Sequence, residues 1–354
     1  MTVPRLGLPA RPDRAARAPS RDWPLQRRRL VFAGGALLAL AGALTASLML
    51  GSNLISPLAV ITRLADPAAD VDAVVWGSRV PRTVLGLMVG FALGAAGAVM
   101  QGQTRNPLAD PGIFGVSAGA SLAVVLGVRL LGATSMLATL WCALVGAVVA
   151  TVVVFLVAAL GRGLSSPVPL AIAGTAVSTL FAAVTSFLVL TDQATLAAYR
   201  IWVVGSLSGR TLNGFGLAAA CAVLGLVFAA ANARSLNSLA LGADMARGLG
   251  ENLIGSRVIG LAAITLMTAG AVAVAGPIGF VGLTAPHLAR VGVGSDHRWL
   301  IPMAGLAGAF VLLACDVIGR LLGGNGEVPV GVVLSVVGGV AFVLVVRRVR
   351  MAAL

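Results

Sequence analysis

Apolar positions in this chain come in long unbroken runs rather than in alternation. Runs at 30–50, 80–101, 112–131, 136–159, 167–190, 212–232, 257–275, 277–293, 300–321 and 328–346 carry very little charge. Each approaches the roughly 20 residues a helix needs to cross the hydrocarbon core of a bilayer. A helix that is apolar all round needs a large core or lipid around it. The pattern therefore predicts an all-α, polytopic membrane protein with ten transmembrane helices. Polar sequence gathers between the runs. Residues 52–78, with Asp66, Asp70 and Asp72, read as an external loop, and 191–210 as an external interfacial segment. The longest polar stretch after the first loop is 233–256, with Arg234, Asp244, Arg247 and Glu251. The run at 277–293 is the shortest and holds Pro286, His287 and Arg290.

Composition supports this reading and narrows it. Hydrophobic residues make up 58% of the chain and charged residues 10%, whereas about a quarter of a soluble domain is charged. The 45 glycines suit close helix packing in a membrane, and Gly86, Gly90 and Gly94 repeat on one helix face. The net charge of +13 is not a nucleic-acid footprint, because the basic residues flank the spans. All are arginine, with a dense group in 1–29 and Arg347, Arg348 and Arg350 at the end. Basic flanks stay on the cytoplasmic side, so both termini are expected there, which requires an even number of spans. Residues 1–29 read as a disordered basic cytoplasmic arm and 30–354 as a single transmembrane domain. Arg27-Arg28-Arg29 before an apolar run resembles a signal peptide, but the run is longer than a signal core.

Two apolar helices, beginning near Arg82 and Arg257, run into stretches broken by glycine and proline, at 101–120 and 276–294. In both, a proline (Pro107, Pro286) precedes a glycine (Gly115, Gly294) by the same interval. Interrupted spans in corresponding places of two halves point to a transport pathway and to inverted-repeat character. The chain has no lysine, so it lacks the G-x-x-x-x-G-K-[ST] loop that cradles nucleotide phosphates and is not expected to hydrolyse ATP by that route. Cys142, Cys221 and Cys315 lie far apart in apolar sequence and read as buried structural thiols. The two histidines, His287 and His297, read as fold residues, and neither a metal nor a cofactor is expected. Asp316 is the one carboxylate inside a span that could serve ion coupling, and it lies close to the helix end. It reads either as a proton-relay group or as half of an ion pair with Arg320 one turn away.

From Arg79 to the C-terminus the chain resembles the membrane permeases of ABC importers for ferric siderophores, haem and cobalamin. The resemblance rests on Arg79-Val-Pro-Arg82, on Arg105-Asn-Pro-Leu-Ala-Asp-Pro-Gly112 with Gly115-Val-Ser-Ala-Gly119, and on Gly279-Phe-Val-Gly-Leu-Thr-Ala-Pro-His-Leu-Ala-Arg290. Asp296-His-Arg298, Asp316-x-x-x-Arg320 and Glu327-Val-Pro-Val-Gly331 extend it. It implies a ten-helix subunit in the bacterial inner membrane, not itself an enzyme, working as a dimer by alternating access. The implied partners are ATP-binding cassette ATPase subunits, an extracytoplasmic substrate-binding protein and a second permease copy. The implied cargo is a ferric siderophore, with haem or cobalamin as the alternative; an ion-coupled secondary transporter is the rival outside the family.

The resemblance also implies site residues. Gly242, Asp244, Ala246, Arg247, Gly250 and Glu251 of the 233–256 loop would couple to the ATPase, against the alternative of an ordinary solvated loop. Arg79, Arg82 and Arg320 would hold carboxylates of the binding protein, since a guanidinium can grip a carboxylate with two bonds; the alternative is snorkelling at helix ends. Asn106 and Leu108, with Ser165 and Ser166, would close the cytoplasmic gate, against the alternative of plain turns.

Overall fold

The computed structural model describes residues 25–51, 54–66, 74–133, 135–160, 167–323 and 326–352. Each of the ten expected spans coincides with a helix: α1 (Leu25–Met49), α3 (Val80–Thr104), α4 (Val116–Leu131), α5 (Met136–Leu160), α6 (Pro167–Leu190), α8 (Phe215–Ala240), α10 (Leu253–Ala275), α11 (Val281–Val293), α12 (His297–Leu322) and α13 (Val330–Ala352). Three short helices stand between them, α2 (Pro57–Ala65), α7 (Gln193–Val203) and α9 (Ala243–Gly248). Among the described residues, seven helices are long and apolar enough to cross a membrane. The chain is a multi-pass membrane protein.

The boundaries differ from the sequence reading where local chemistry sets them. α1 begins at Leu25, ahead of the expected residue 30. The expected disordered arm falls largely on 1–24, outside the described residues. α8 runs to Ala240 and α10 starts at Leu253, capped by the Asn252 side chain on the Gly255 N–H. The polar stretch 233–256 is thus mostly helix, with a connection of 241–252 around α9. Likewise 276–280 is not helical. Gly276, at φ 76°, ends α10, and α11 begins only at Val281. Its 13 residues rise about 20 Å, short of a full crossing.

Glycines set the helix spacing. A carbon added at Gly90 would lie 2.6 Å from the Ala309 Cα, and one at Gly94 2.2 Å from the Ala304 carbonyl oxygen. The stripe on α3 is therefore its contact with α12, backbone against backbone. Gly97 continues the row but meets α11, with the Gly282 oxygen 1.9 Å from its absent Cβ. Gly119 of α4 and Gly146 of α5 face each other in the same way. Buried α3 lies at the centre of the bundle, while α1 and α6 are largely exposed.

The bundle has two ends. One, the loop face, carries α9, the start of α1, the end of α3 and the start of α12. There Arg29 donates to the Val293 carbonyl at 3.2 Å, approaches Asp296 at 3.6 Å and stacks over Trp299. Asn237 at the end of α8 donates to Asp296 at 2.8 Å and accepts the His297 backbone N–H at 2.9 Å. At the opposite face the ends of α1 and α12 meet the start of α3. The Ser206 N–H there donates to the Ala275 carbonyl at 2.8 Å, and the Gly331 N–H to the Gly205 carbonyl at 3.0 Å.

Candidate functional site

Asp316 is fully buried and lies between two arginines. Arg82 grips both its oxygens, with Nε at 3.0 and 2.9 Å and Nη2 at 2.8 Å. Arg320, one turn along α12, donates Nε at 3.0 Å. Arg320 also reaches the Ser47 and Leu50 carbonyls at 2.7 and 3.2 Å and the Ser47 hydroxyl at 2.9 Å. Arg79 donates to the Leu48 carbonyl at 2.6 Å. Arg82 further pairs with Glu327, which accepts the Ser208 hydroxyl at 2.8 Å.

The three arginines read from the sequence as docking groups are thus brought together at one face, but turned inward: Arg79 is 6% exposed, and Arg82 and Arg320 4% each. The Asp316–Arg320 pair was legible from its one-turn spacing. The Arg82 partner was not, because Arg82 and Asp316 are 234 positions apart. The charged group of this network that reaches solvent is Glu327, whose side chain is 34% exposed; its partner Ser208 is exposed as well.

Glu327 lies in the connection before α13. Burial would raise its pKa, but hydrogen bonds from Arg82 and Ser208 and the charges of Arg82 and Arg320 outweigh that and hold it below its ordinary 4.5. A depressed carboxylate contributes stability above its unfolded pKa and loses it as pH falls through the folded one. Glu327→Gln is therefore expected to melt below wild type near neutral pH, with the gap closing once pH falls below about 4.5. Thermal unfolding in detergent across pH checks this. A gap that persists unchanged in acid would show that charge is not the source.

At the loop face, the connection after α3 folds back into the bundle. Arg105 takes a left-handed conformation at φ 49°, and the exposed Asn106 accepts the Leu108 N–H at 2.9 Å. Asp110 accepts the Gly112 N–H at 2.9 Å. Pro111 and Asp110 pack on Gly282 in the first turn of α11, so closely that a Cβ there would lie 2.5 Å from Pro111 Cδ and 3.2 Å from Asp110 Oδ2. Gly282 in turn abuts Gly97, about 10 Å inside the end of α3. Asp110 is therefore a half-buried carboxylate packed against α11, at the opposite end of the bundle from Asp316. The sequence reading missed it, because a Pro-flanked aspartate looks like an exposed turn. Ser165 and Ser166 lie outside the described residues.

Pro286 inside α11 removes a backbone donor. Side chains gather nearby: His287 Nδ1 lies 2.7 Å from the Leu283 carbonyl and Gln101 donates to the same oxygen at 3.3 Å. Among the described residues no group of three His, Cys, Asp or Glu side chains could hold a metal.

The connection carrying α9 is built to present a surface. Gly242 and Gly250, at φ 111° and 82°, bracket it, and nothing lies within 4 Å of an added Cβ at either. Ala246 is buried beneath. Glu251 is tied back to α8 by the Ser235 and Ser238 hydroxyls at 2.8 and 3.1 Å. Asp244 and Arg247 stay outside, paired at 2.9 Å, with side chains 99% and 52% exposed. Leu241, Met245 and Leu249 are also exposed. Met245 and Leu249 stand one turn apart, their backbones joined by a 3.0 Å hydrogen bond, whereas Leu241 belongs to the end of α8, before the break at Gly242. That spacing was visible in the sequence, but the reading followed the charged and small residues instead.

Comparison with known proteins agrees with this architecture. The chain is 40% identical over 321 residues to the ferric enterobactin transport system permease protein of Escherichia coli (strain K12), covering 90% of this chain and 96% of that one. It is 36% identical over 277 residues to the hemin transport system permease protein of Yersinia pestis, covering 77% and 82%. A cobalamin import system permease protein of Halobacterium salinarum is 38% identical over 269 residues, covering 76% and 72%. Among solved structures, one described as an inward-facing conformation of a metal-chelate type ABC transporter superposes with a TM-score of 0.78 at 26% identity, covering 90% of this chain and 99% of that one. Residues 37–348, nearly the whole described bundle, match one family, and the chain belongs to the FecCD transport family.

Proposed function

We propose that this chain is the membrane-spanning permease of an ATP-driven importer for ferric siderophores, with haem or cobalamin as the alternative cargo. The observation that carries the proposal is the α9 surface. Exposed apolar side chains beside an Asp–Arg pair, held on a tied-down connection, are what a motor subunit needs to grip, and this chain has no lysine for a Walker loop of its own. The relatives named for enterobactin, hemin and cobalamin support the cargo class.

In this reading the loop face is cytoplasmic and both termini lie there. Gly242, Asp244, Ala246, Arg247, Gly250 and Glu251 form the ATPase seat, to which Leu241, Met245 and Leu249 add apolar area. Two copies of the chain enclose the path. ATP binding and hydrolysis on the ATPase move the α9 connections and so tilt the helices between outward- and inward-open states. The turn at Asn106 and Leu108, seated on the first turn of α11, closes the inner end together with Ser165 and Ser166. The binding protein docks on the opposite face over Arg79, Arg82 and Arg320, where Glu327 is the solvent-facing member of their network.

The test is uptake of labelled ferric siderophores, haem and cobalamin by cells lacking this gene and complemented with it. Wild type is expected to restore one cargo selectively. Arg247→Glu places like charge across the contact, which costs several kcal/mol, so uptake should fall at least about tenfold while the protein reaches the membrane at normal level. Normal uptake by that variant would remove the ATPase seat from α9. Uptake blocked by an uncoupler but not by vanadate would point to ion coupling instead.

A further inference from the structure

The short helix α2 is apolar on nearly every side. Its sequence, Pro57-Leu-Ala-Val-Ile-Thr-Arg-Leu-Ala65, holds only Thr62 and Arg63 as polar residues. It packs on the end of the bundle at α1 and at the turn Val75–Arg79, with Val60 buried and Leu64, one turn on, half-buried. Its other side is bare. Leu58 and Ile61, one turn apart, are 72% and 62% exposed, and Leu54, in the segment just before the helix, is 75% exposed. Trp76 adds an exposed ring. Its indole N–H donates to the Arg63 carbonyl at 2.8 Å, so its one polar atom is satisfied within the protein. A helix apolar all round needs protein or lipid against it.

Height decides what lies against the bare side. Arg29 is fixed at the loop face by the Val293 carbonyl, and from there to Met49 α1 rises about 30 Å, roughly the 30 Å thickness of a hydrocarbon core. α2 follows α1 in the chain, so it stands at the opposite boundary of the bilayer, and any tilt of α1 only lowers it toward the hydrocarbon. Its sideways position agrees. α1 is the least buried of the seven long apolar helices, with Leu30, Val31, Leu37 and Leu38 exposed along it, so it faces lipid. α2 packs on that outlying helix, and its bare side continues the lipid-facing surface of α1.

We propose that α2, with Leu54 and Trp76, is an interfacial anchor. It lies in the plane of the leaflet opposite the loop face, with Leu54, Leu58 and Ile61 among the upper acyl chains and Trp76 at the level of the headgroups, where an indole ring is at home. The anchor has a mechanical consequence. It fixes the depth of the end of α1, whose Ser47, Leu48 and Leu50 carbonyls accept Arg320 and Arg79. The buried arginine network is thereby tied to the bilayer surface, whichever cargo the path carries.

Spin labels on Leu58→Cys and Ile61→Cys variants test this, in the full-length protein in phosphatidylcholine nanodiscs with Cys142, Cys221 and Cys315 replaced by alanine. Leu38→Cys on α1 is the lipid reference and Asp244→Cys on α9 the aqueous one. The Leu58 and Ile61 labels are expected to collide with dissolved oxygen, like the Leu38 label, and not with a water-soluble nickel chelate, like the Asp244 label. Their depth should be about 5–10 Å below the headgroup boundary. Fluorescence quenching by brominated lipids makes the same test with the native cysteines in place, so misfolding of the cysteine-free protein does not stop it. Lipid brominated near the headgroup end of its acyl chains should quench wild type more than a Trp76→Phe protein, and lipid brominated at the chain ends should not distinguish them. Labels at Leu58 and Ile61 as open to nickel as the Asp244 label would overturn the proposal, leaving the face free for an extracytoplasmic partner. So would spin–spin broadening between copies, because a second chain would then cover it, and so would equal quenching of wild type and Trp76→Phe by the shallow bromines.

Discussion

Asp316→Ala is expected to destabilise the folded bundle by about 3–5 kcal/mol, the cost of removing one partner from a buried ion pair. The reason lies in what is left behind. Arg82 and Arg320 are each 4% exposed, and neither can swing into water without unpacking α3 from α12. Arg320 would keep its bonds to the end of α1, and Arg82 would keep Glu327. Two positive charges would nonetheless face each other around an empty site. Folded proteins commonly have about 5–15 kcal/mol in hand, so the loss should appear as a large fall in unfolding temperature in detergent and as reduced accumulation in membranes. Asp316→Asn should lie between, since it keeps volume and one acceptor oxygen but no charge. The decisive comparison replaces Arg82, Asp316 and Arg320 together by apolar residues of similar size. Buried ionic groups replaced as a set are often neutral or stabilising, so the triple variant should recover much of what the single variant loses. An Asp316→Ala protein as stable as wild type would show that the network contributes nothing net.

Gly97→Ala is expected to have an effect out of proportion to one methyl group. The added carbon would sit 1.9 Å from the Gly282 oxygen, 2.5 Å from its carbonyl carbon and 2.6 Å from its Cα. All three are backbone, so no side-chain rotation relieves the clash. α3 and the first turn of α11 must separate, and overpacking of that kind costs about 1–3 kcal/mol or more. If the neighbouring Asn106–Leu108 turn gates the path as proposed, the damage should extend to transport, because Gly282 also carries the Pro111 and Asp110 contact just after that turn. The internal control is Gly42→Ala on α1, where nothing lies within 4 Å of the new carbon. It should stabilise its helix by roughly 0.5–1 kcal/mol, because alanine loses less backbone entropy than glycine. Unfolding temperatures of the two variants should move in opposite directions, and uptake should fall only for Gly97→Ala. If Gly97→Ala melts and transports like wild type, the close approach of α3 and α11 is not needed.

Relations between neighbours in the chain were readable in advance. Each of the ten apolar runs overlaps one of the thirteen helices, and seven helices among the described residues are long and apolar enough to cross a membrane, because a helix in lipid must be apolar along its whole length and the requirement is local. The glycine stripe Gly86, Gly90 and Gly94 announced a close helix contact, and Asp316 with Arg320 announced a one-turn pair. The same reasoning misplaced ends. The polar residues 233–240 looked like loop, yet α8 continues through them because its buried Asn232, Ala233, Leu236 and Leu239 remain on the side facing the bundle. The broken run at 277–293 was read as a span from its first residue, yet Gly276 and the left-handed Phe280 delay the helix to Val281.

What the sequence by itself determined, then, is the class of molecule, the helical segments and the grouping of small and charged residues within single helices. Each follows from spacing of a few residues along one backbone. The tertiary structure decided which helix each stripe meets, that Arg82 and Arg320 share Asp316, that Asp110 lies under α11, and that Leu241, Met245 and Leu249 remain uncovered. Those outcomes depend on which distant segments pack together. The partner of Arg82 lies 234 residues away, and only the close approach of α3 and α12 at their glycines brings the two charges within bonding distance.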